Sequence, residues 1–297
     1  MAIQWFPGHM HKARKQVAET MAKVDMVIEV LDARLPHITT NPLIHELRVH
    51  RQRPSLKVLN KADLADPNVT ALWVQHFKSQ ANTAVLVLDE AGKQRDAAKV
   101  TAMCHELLPN RHGAEKPVRA MILGVPNVGK STLINAMAKR KLAKVADTPG
   151  VTQSQQRIEL PDGTILVDTP GLMWPKITSP NDGLKMALSG CIGRNAFDAE
   201  EVAWYTLGWL AKYYPQSLQR YKLTDPSLHG DELFELAARA LGCVMSGGRI
   251  DAQKAAEKVL TEFRGGILGR VSLEKPSDCL DLNLDEGDPE EHPLAGS

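Results

Sequence analysis

The feature that most constrains this chain is an order of motifs. Gly124-Val125-Pro126-Asn127-Val128-Gly129-Lys130-Ser131, followed by Thr132, has the spacing of a phosphate-binding loop. Such a loop needs a strand before it and a helix after it. Its glycines let backbone N–H groups wrap phosphates, and the helix start adds partial positive charge. Residues 120–125 read as that strand, and residues 131–138 begin the helix. The tetrad Asn60-Lys61-Ala62-Asp63 precedes the loop, although in ordinary nucleotide hydrolases of this type it follows. The same strands can surround the same site with the termini moved to other loops. The expectation is a circularly permuted Ras-like P-loop α/β domain with a mostly parallel sheet, followed by an all-α C-terminal domain.

Three apolar runs before the loop, 27–31, 55–59 and 84–88, read as buried strands separated by helical patterns near 69–79 and 96–108. Residues 109–117 form a polar linker. Residues 157–160 and 164–168 read as a hairpin turning at Pro161-Asp162-Gly163. Beyond Trp174-Pro175 the texture becomes helical, with periodic stretches at 199–213, 231–241 and 251–263. Three regions are expected: 1–175, the nucleotide domain; 176–275, a helical domain; and 276–297, an acidic, disordered tail.

Composition excludes little, with 43% hydrophobic and 24% charged residues. No apolar run reaches the ~18 residues of a membrane span, and the N-terminus lacks the pattern of a signal peptide. Four scattered cysteines without a CxxC pair read as reduced thiols packed as small hydrophobes. These features lead us to expect a cytoplasmic location. The net charge of +1 conceals an asymmetry: residues 1–275 hold 36 basic and 28 acidic residues, a net of +8. A basic body favours a polyanionic partner.

Within the loop, Lys130 is placed to reach the β- and γ-phosphates and Ser131 to ligate Mg²⁺. Asp168-Thr169-Pro170-Gly171 ends the second hairpin strand. Asp168 is expected to hold Mg²⁺ through water, and the Gly171 N–H to meet the γ-phosphate. Thr148 and Thr152 both lie in the segment that could cap Mg²⁺; Thr152 is preferred. Guanine presents N1–H and N2–H₂ side by side, and the Asp63 carboxylate can accept both, whereas adenine lacks that donor pair. The Lys61 stem can cover the base. The last base-contacting position reads Asp89-Glu90-Ala91, a degenerate version of the usual Ser-Ala pair. GTP is therefore the expected ligand.

These residues in this order resemble the YlqF/RbgA family of circularly permuted ribosome biogenesis GTPases. The resemblance runs from Trp5-Phe6-Pro7-Gly8-His9-Met10 through Asp168–Lys176 and continues more weakly through the helical remainder. It implies GTP hydrolysis stimulated by docking on a precursor of the large ribosomal subunit and its rRNA, by a monomeric protein. Leu172 follows Gly171, where a Ras-like enzyme carries its water-orienting Gln; the resemblance points to His9 for that task. It also points to Asn127 as a ligand for an activating K⁺. Among the C-terminal cations, Lys212, Arg220, Lys222, Arg239, Arg249, Lys254, Lys258, Arg264 and Arg270 are candidates for the RNA-facing surface, with Arg34, Lys12 and Lys15 extending it. The segment after Gly171 leads straight into the helices, so the γ-phosphate sensor is joined to the second domain. Other readings are an RNA-binding scaffold with a regulatory, barely hydrolysed nucleotide, and a small-molecule kinase. The guanine tetrad opposes the kinase reading.

Overall fold

A computed structural model describes residues 15, 17–89, 92–111, 115–139, 156–169 and 179–279. His9, Glu90, Ala91, Thr148, Thr152 and Gly171 lie outside the described residues.

Six strands form one sheet: β1 (Met26–Asp32), β2 (Ser55–Asn60), β3 (Thr83–Val87), β4 (Arg119–Leu123), β5 (Gln156–Glu159) and β6 (Ile165–Asp168). Their spatial order is β3-β2-β1-β4-β6-β5. All neighbours are parallel except β5, which runs antiparallel to β6 through the hairpin at Gly163. β1 and β2 are buried along their whole length. Burial on both faces explains why they read as continuous apolar runs rather than alternating ones. Their two charged members answer each other. Glu29 and Lys57 are register partners, and Lys57 Nζ donates to Glu29 Oε1 at 2.7 Å.

Helices connect and cover the strands: α1 (Pro36–Thr39), α2 (Pro42–His50), α3 (Pro67–Lys78), α4 (Lys93–Leu107) and α5 (Lys130–Ala138). Asp66 caps α3 by accepting from the Asn68 N–H at 2.8 Å, and Pro67 occupies the first turn, where its missing donor costs nothing. Four further helices follow: α6 (Pro180–Ser189), α7 (Ala199–Tyr213), α8 (Gly230–Ala240) and α9 (Ala252–Arg264). α6 starts on a Ser179 cap and stops at Gly190, whose φ of 86° an L side chain rarely adopts. A contiguous apolar cluster runs from the sheet, through Ile28 and Ile122, into the helices at Met186, Leu210 and Phe263. Among the described residues no helix is long and apolar enough to cross a membrane.

After α9 the chain becomes irregular and returns to the sheet. Residues 271–274 are buried in this strap. The Leu273 N–H donates to the Arg34 carbonyl at 2.7 Å, and the Trp73 indole N–H donates to the Glu274 carbonyl at 3.2 Å. Pro276–Cys279 then forms a 3-10 turn, with Cys279 packed on the cluster containing Trp73 and Phe77. Cys104, Cys191, Cys243 and Cys279 are all free thiols.

Glu274 is almost fully buried, and its carboxylate accepts from the His37 and Ile38 N–H groups at 2.5 and 3.3 Å. Burial pushes its carboxyl up to about 8, against the opposing pull of Lys185 and these two donors. Between its ordinary value of 4.5 and about 8, the folded chain keeps a proton that the unfolded chain releases. Stability contributed by this group therefore falls as pH rises through that window. Glu274→Gln keeps an acceptor oxygen and removes the titration. Thermal unfolding followed by circular dichroism should show the variant more stable than the parent at pH 8 and little changed at pH 5.

Candidate nucleotide site

The phosphate-loop sequence folds as a strand–loop–helix turn because two residues accept left-handed backbone and one glycine accepts contact. Asn127 has φ 60° and Gly129 φ 92°. A Cβ on Gly124 would lie 2.6 Å from the Val30 carbonyl oxygen and 2.8 Å from a Val128 methyl. Neither β1 backbone nor a buried valine can give way, so position 124 excludes every side chain. The loop thus passes tightly over the end of β1 and delivers Lys130, Ser131 and Thr132 at the start of α5.

Lys130 is buried, and its ammonium pairs with Asp168 Oδ1 at the end of β6. The parallel pairing of β4 and β6 brings the two motifs together, with Ile122 in register with Asp168. Burial raises the Asp168 carboxyl, and the Lys130 charge and hydrogen bond pull it back down without overcoming that. Its second oxygen, Oδ2, is buried without a hydrogen-bond partner among the described residues. A buried, unpaired carboxylate oxygen beside the Ser131 helix start has the chemistry of a hard-cation or metal-bound-water site. Ser131 and Asp168 therefore fit Mg²⁺.

The guanine-tetrad residues sit across from this pair. β2 ends at Asn60, whose amide donates to the Val128 carbonyl at 2.5 Å, tying the tetrad to the phosphate loop. Its Oδ1 is buried and unpartnered among the described residues. Lys61, with φ 60°, spans the gap: its ammonium donates to the Asn127 carbonyl at 2.8 Å and to Asp32 Oδ2 at 3.1 Å. Asp63 is exposed on the 3-10 turn Ala62–Leu64. The Ala62 N–H donates to the Leu88 carbonyl at 3.1 Å, which places Asp89, also exposed, beside the same rim. Pro126 and Asn127 are half-buried, Val128 is buried, and the Asn127 amide donates to the Gly190 carbonyl of the helical region at 2.9 Å.

One site residue, Asp32, escaped the sequence reading, and another, Arg34, was misassigned. Asp32, at the end of β1, accepts from Arg34 Nε at 2.9 Å, from Arg34 Nη2 at 2.7 Å and from Lys61. Arg34 was expected on the basic surface. It is instead buried at 1% exposure, reaches the Ser189 carbonyl at 3.3 Å and lies over the Phe263 ring at 5.1 Å. A guanidinium with a bidentate carboxylate partner can be buried, whereas a bare count of cations cannot reveal that. Burial would raise Asp32; the Arg34 and Lys61 charges and the Arg34 hydrogen bonds override it and hold Asp32 well below the usual carboxylate range. Half-buried Arg264 donates to the Ala187 and Leu188 carbonyls, and Arg270, though exposed, donates to those of Ala62 and Ala65. Arg220 and Arg239 pair with Glu262 and Glu235. Of these cations only Arg34 is buried; Arg220, Arg239 and Arg270 remain exposed.

A strand feeding a phosphate loop lies centrally in this sheet. It has the acidic β6 on one side, and on the other are strands that come earlier in the chain but end in the guanine tetrad. That arrangement defines a P-loop GTPase domain in circularly permuted order. A family model described as 50S ribosome-binding GTPase matches residues 119–198. Ribosome biogenesis GTPase A of Bacillus cereus is 42% identical over 286 residues, covering 94% of this chain and 95% of that one. Mitochondrial ribosome-associated GTPase 1 of Mus musculus is 34% identical over 296 residues, covering 92% and 90%. A structure described as GDP-bound TM YlqF matches with a TM-score of 0.63 at 27% identity, covering 89% of this chain and 100% of that one. A GNP-bound YlqF from T. maritima gives 0.60 at the same identity, with 89% and 98% covered. The chain belongs to the ribosome biogenesis GTPase A (YlqF/RbgA) family.

Arg34→Ala should cost about 3 kcal/mol, because it leaves the Asp32 charge buried with Lys61 alone. Asp32 is depressed in the folded chain, so its contribution is present above its unfolded value and lost as pH falls towards the folded one. Weakening that depression should move the acid-unfolding midpoint of Arg34→Ala to higher pH. Urea titrations at neutral pH and fluorescence-monitored acid titrations check the two effects.

Proposed function

We propose that this protein is a GTP-hydrolysing assembly factor for the large ribosomal subunit, turned over when it docks on the ribosomal precursor. The observation that carries the reading is the Lys130–Asp168 pair at the phosphate loop, a loop tied by Asn60 and Lys61 to the turn that bears exposed Asp63. The ribosomal partner rests on membership of the family. The exposed cations of the helical region suit contact with rRNA phosphates, and such binding should weaken with salt. The protein acts as a monomer in the cytoplasm.

The reaction is in-line attack of a water oxygen on the γ-phosphorus. The bond from that phosphorus to the β–γ bridging oxygen breaks, giving GDP and inorganic phosphate, and the water proton ends on phosphate or solvent. Lys130 exchanges Asp168 for the β- and γ-phosphates. The backbone N–H groups of residues 126–132 line the phosphates. Ser131, Thr152 and Asp168 would hold Mg²⁺, which would offset charge on the phosphate oxygens. The Gly171 N–H meets the γ-phosphate, and His9 positions the water. Asn60 braces the loop, Lys61 covers the base plane, Asp63 accepts from guanine N1–H and N2, and Asp89, Glu90 and Ala91 close the base pocket. Asn127 would help hold K⁺, whose positive charge would offset the negative charge of the transferring phosphoryl group.

Turnover measured with and without large ribosomal subunits, in KCl and in NaCl of equal ionic strength, tests the reading. Strong stimulation by the subunits is expected; its absence with tight GTP binding retained would overturn it. Equal rates in the two salts would remove K⁺. His9→Ala should keep GTP affinity and lose on the order of a hundredfold in stimulated turnover, the contribution of a positioned general catalyst.

A further inference from the structure

The proposed guanine-reading carboxylate stands on a turn that has little of its own to hold it. Ala62–Leu64 is a single 3-10 turn entered through a left-handed Lys61, and Asp63 is exposed. One such turn has poor internal hydrogen-bond geometry and leaves carbonyls unpaired. Here the turn has its own Ala65 N–H to Ala62 carbonyl bond at 3.3 Å, and the strap after α9 adds further donors from outside. Arg270 Nη2 donates to the Ala62 carbonyl at 2.8 Å, and Nε donates to the Ala65 carbonyl at 2.8 Å. The Val271 N–H donates to the Leu64 carbonyl at 2.9 Å. Ser272 Oγ accepts from the Asp66 N–H at 3.1 Å, and the Tyr214 hydroxyl donates to the Asp66 carboxylate at 3.3 Å. Gly266, at φ +74°, packs so closely that a Cβ there would meet Leu64 Cδ2 at 2.7 Å. Ala62, Leu64, Ala65 and Asp66 are thus each held by a hydrogen bond to the helical region. Asp63, exposed, lies within this held segment.

We propose that Arg270 is a positioning residue for guanine recognition. Its planar fork bridges two carbonyls three residues apart and so fixes the turn that aims the Asp63 carboxylate at guanine N1–H and N2–H₂ together. The proposal rests on the reading of Asp63 as the base-reading group. A bidentate contact requires placement to within a fraction of an ångström, which a rigid fork can give and a mobile turn cannot. A clasp that merely fastened the helices to the sheet would change stability on removal and leave base preference alone.

The test is equilibrium binding of GDP, IDP and XDP to the full chain, for the parent, Arg270→Ala, Arg270→Lys and Asp63→Asn. IDP lacks the 2-amino group and so needs only one of the two contacts. Arg270→Ala is expected to lose about tenfold in GDP affinity and about twofold in IDP affinity, compressing the preference between them. Arg270→Lys, with one point of donation in place of a fork, should fall between the parent and the alanine variant. Retained IDP binding reports a folded site. An unchanged GDP-to-IDP ratio in Arg270→Ala overturns the proposal, whether or not its melting temperature falls. Asp63→Asn should exchange guanine for xanthine preference, since the amide then meets a carbonyl in place of the amine. If it does not, the reading of Asp63 fails and the brace fails with it. If it does while Arg270→Ala keeps its ratio, the brace alone fails.

Discussion

The Asp32 carboxylate is the hinge-pin of this molecule. It lies at the end of the central strand β1, fully buried, where an isolated charge would be prohibitively costly. Its cost is offset by three donors of positive charge arranged around it: the two arms of Arg34 and the Lys61 ammonium. Each partner does a second task. Lys61 also holds the Asn127 carbonyl of the phosphate loop, and Arg34 also holds the Ser189 carbonyl at the end of α6. One carboxylate therefore fixes the base tetrad, the phosphate loop and the first helix of the C-terminal region relative to the sheet. A buried ion pair contributes little net stability compared with a hydrophobic equivalent. What it supplies here is geometry, because the bidentate fork admits one relative placement of Arg34 and Asp32.

The helical region is correspondingly more than an appendage. Its apolar cluster is continuous with that of the sheet, and polar bonds reach both ends of the nucleotide rim. At the phosphate end, the Asn127 amide meets the Gly190 carbonyl. At the base end, the strap fills the carbonyls of the 3-10 turn. A displacement of the helices relative to the sheet must either break these bonds or carry the loop and the turn with it.

Much of this was legible in the sequence for a physical reason: the informative signals were local. The phosphate loop is a run of eight consecutive residues whose backbone demands fix their types, and Gly124, Asn127 and Gly129 meet those demands in the structure. β1 and β2 were visible because burial on two faces needs unbroken apolar runs, whereas the edge strand β3, also read as buried, has one buried residue, Val85; the 199–213 helix was visible from its periodicity. Errors arose where the partner is distant in sequence. Arg34 looked like one more surface cation because Asp32 is close by, but the Ser189 carbonyl and Phe263 that complete its burial are 155 and 229 positions away. The strap left no periodic trace, since irregular backbone bonded to another irregular segment has no pattern to repeat. The Lys130–Asp168 pair was foreseen as two groups serving one ligand, not as groups serving each other.

Motif order gives this arrangement its direction. β6, which carries Asp168, is followed directly in the chain by the helical region, so that region is covalently attached at the phosphate side of the rim. The end of the same region then returns to the base side and bonds to the tetrad turn through residues 270–272. In a chain with the usual order, the strand bearing the tetrad would come after the phosphate loop and its hairpin, and the helices would be appended beyond the base side alone. Permutation puts the covalent link at the phosphate end of the nucleotide, beside the Asn127–Gly190 hydrogen bond, and leaves the base end to hydrogen bonds alone. The helices thus meet the nucleotide rim at both ends, through the chain connection and the Asn127–Gly190 hydrogen bond on the phosphate side and through the hydrogen bonds of the strap on the base side, where Arg270 stands.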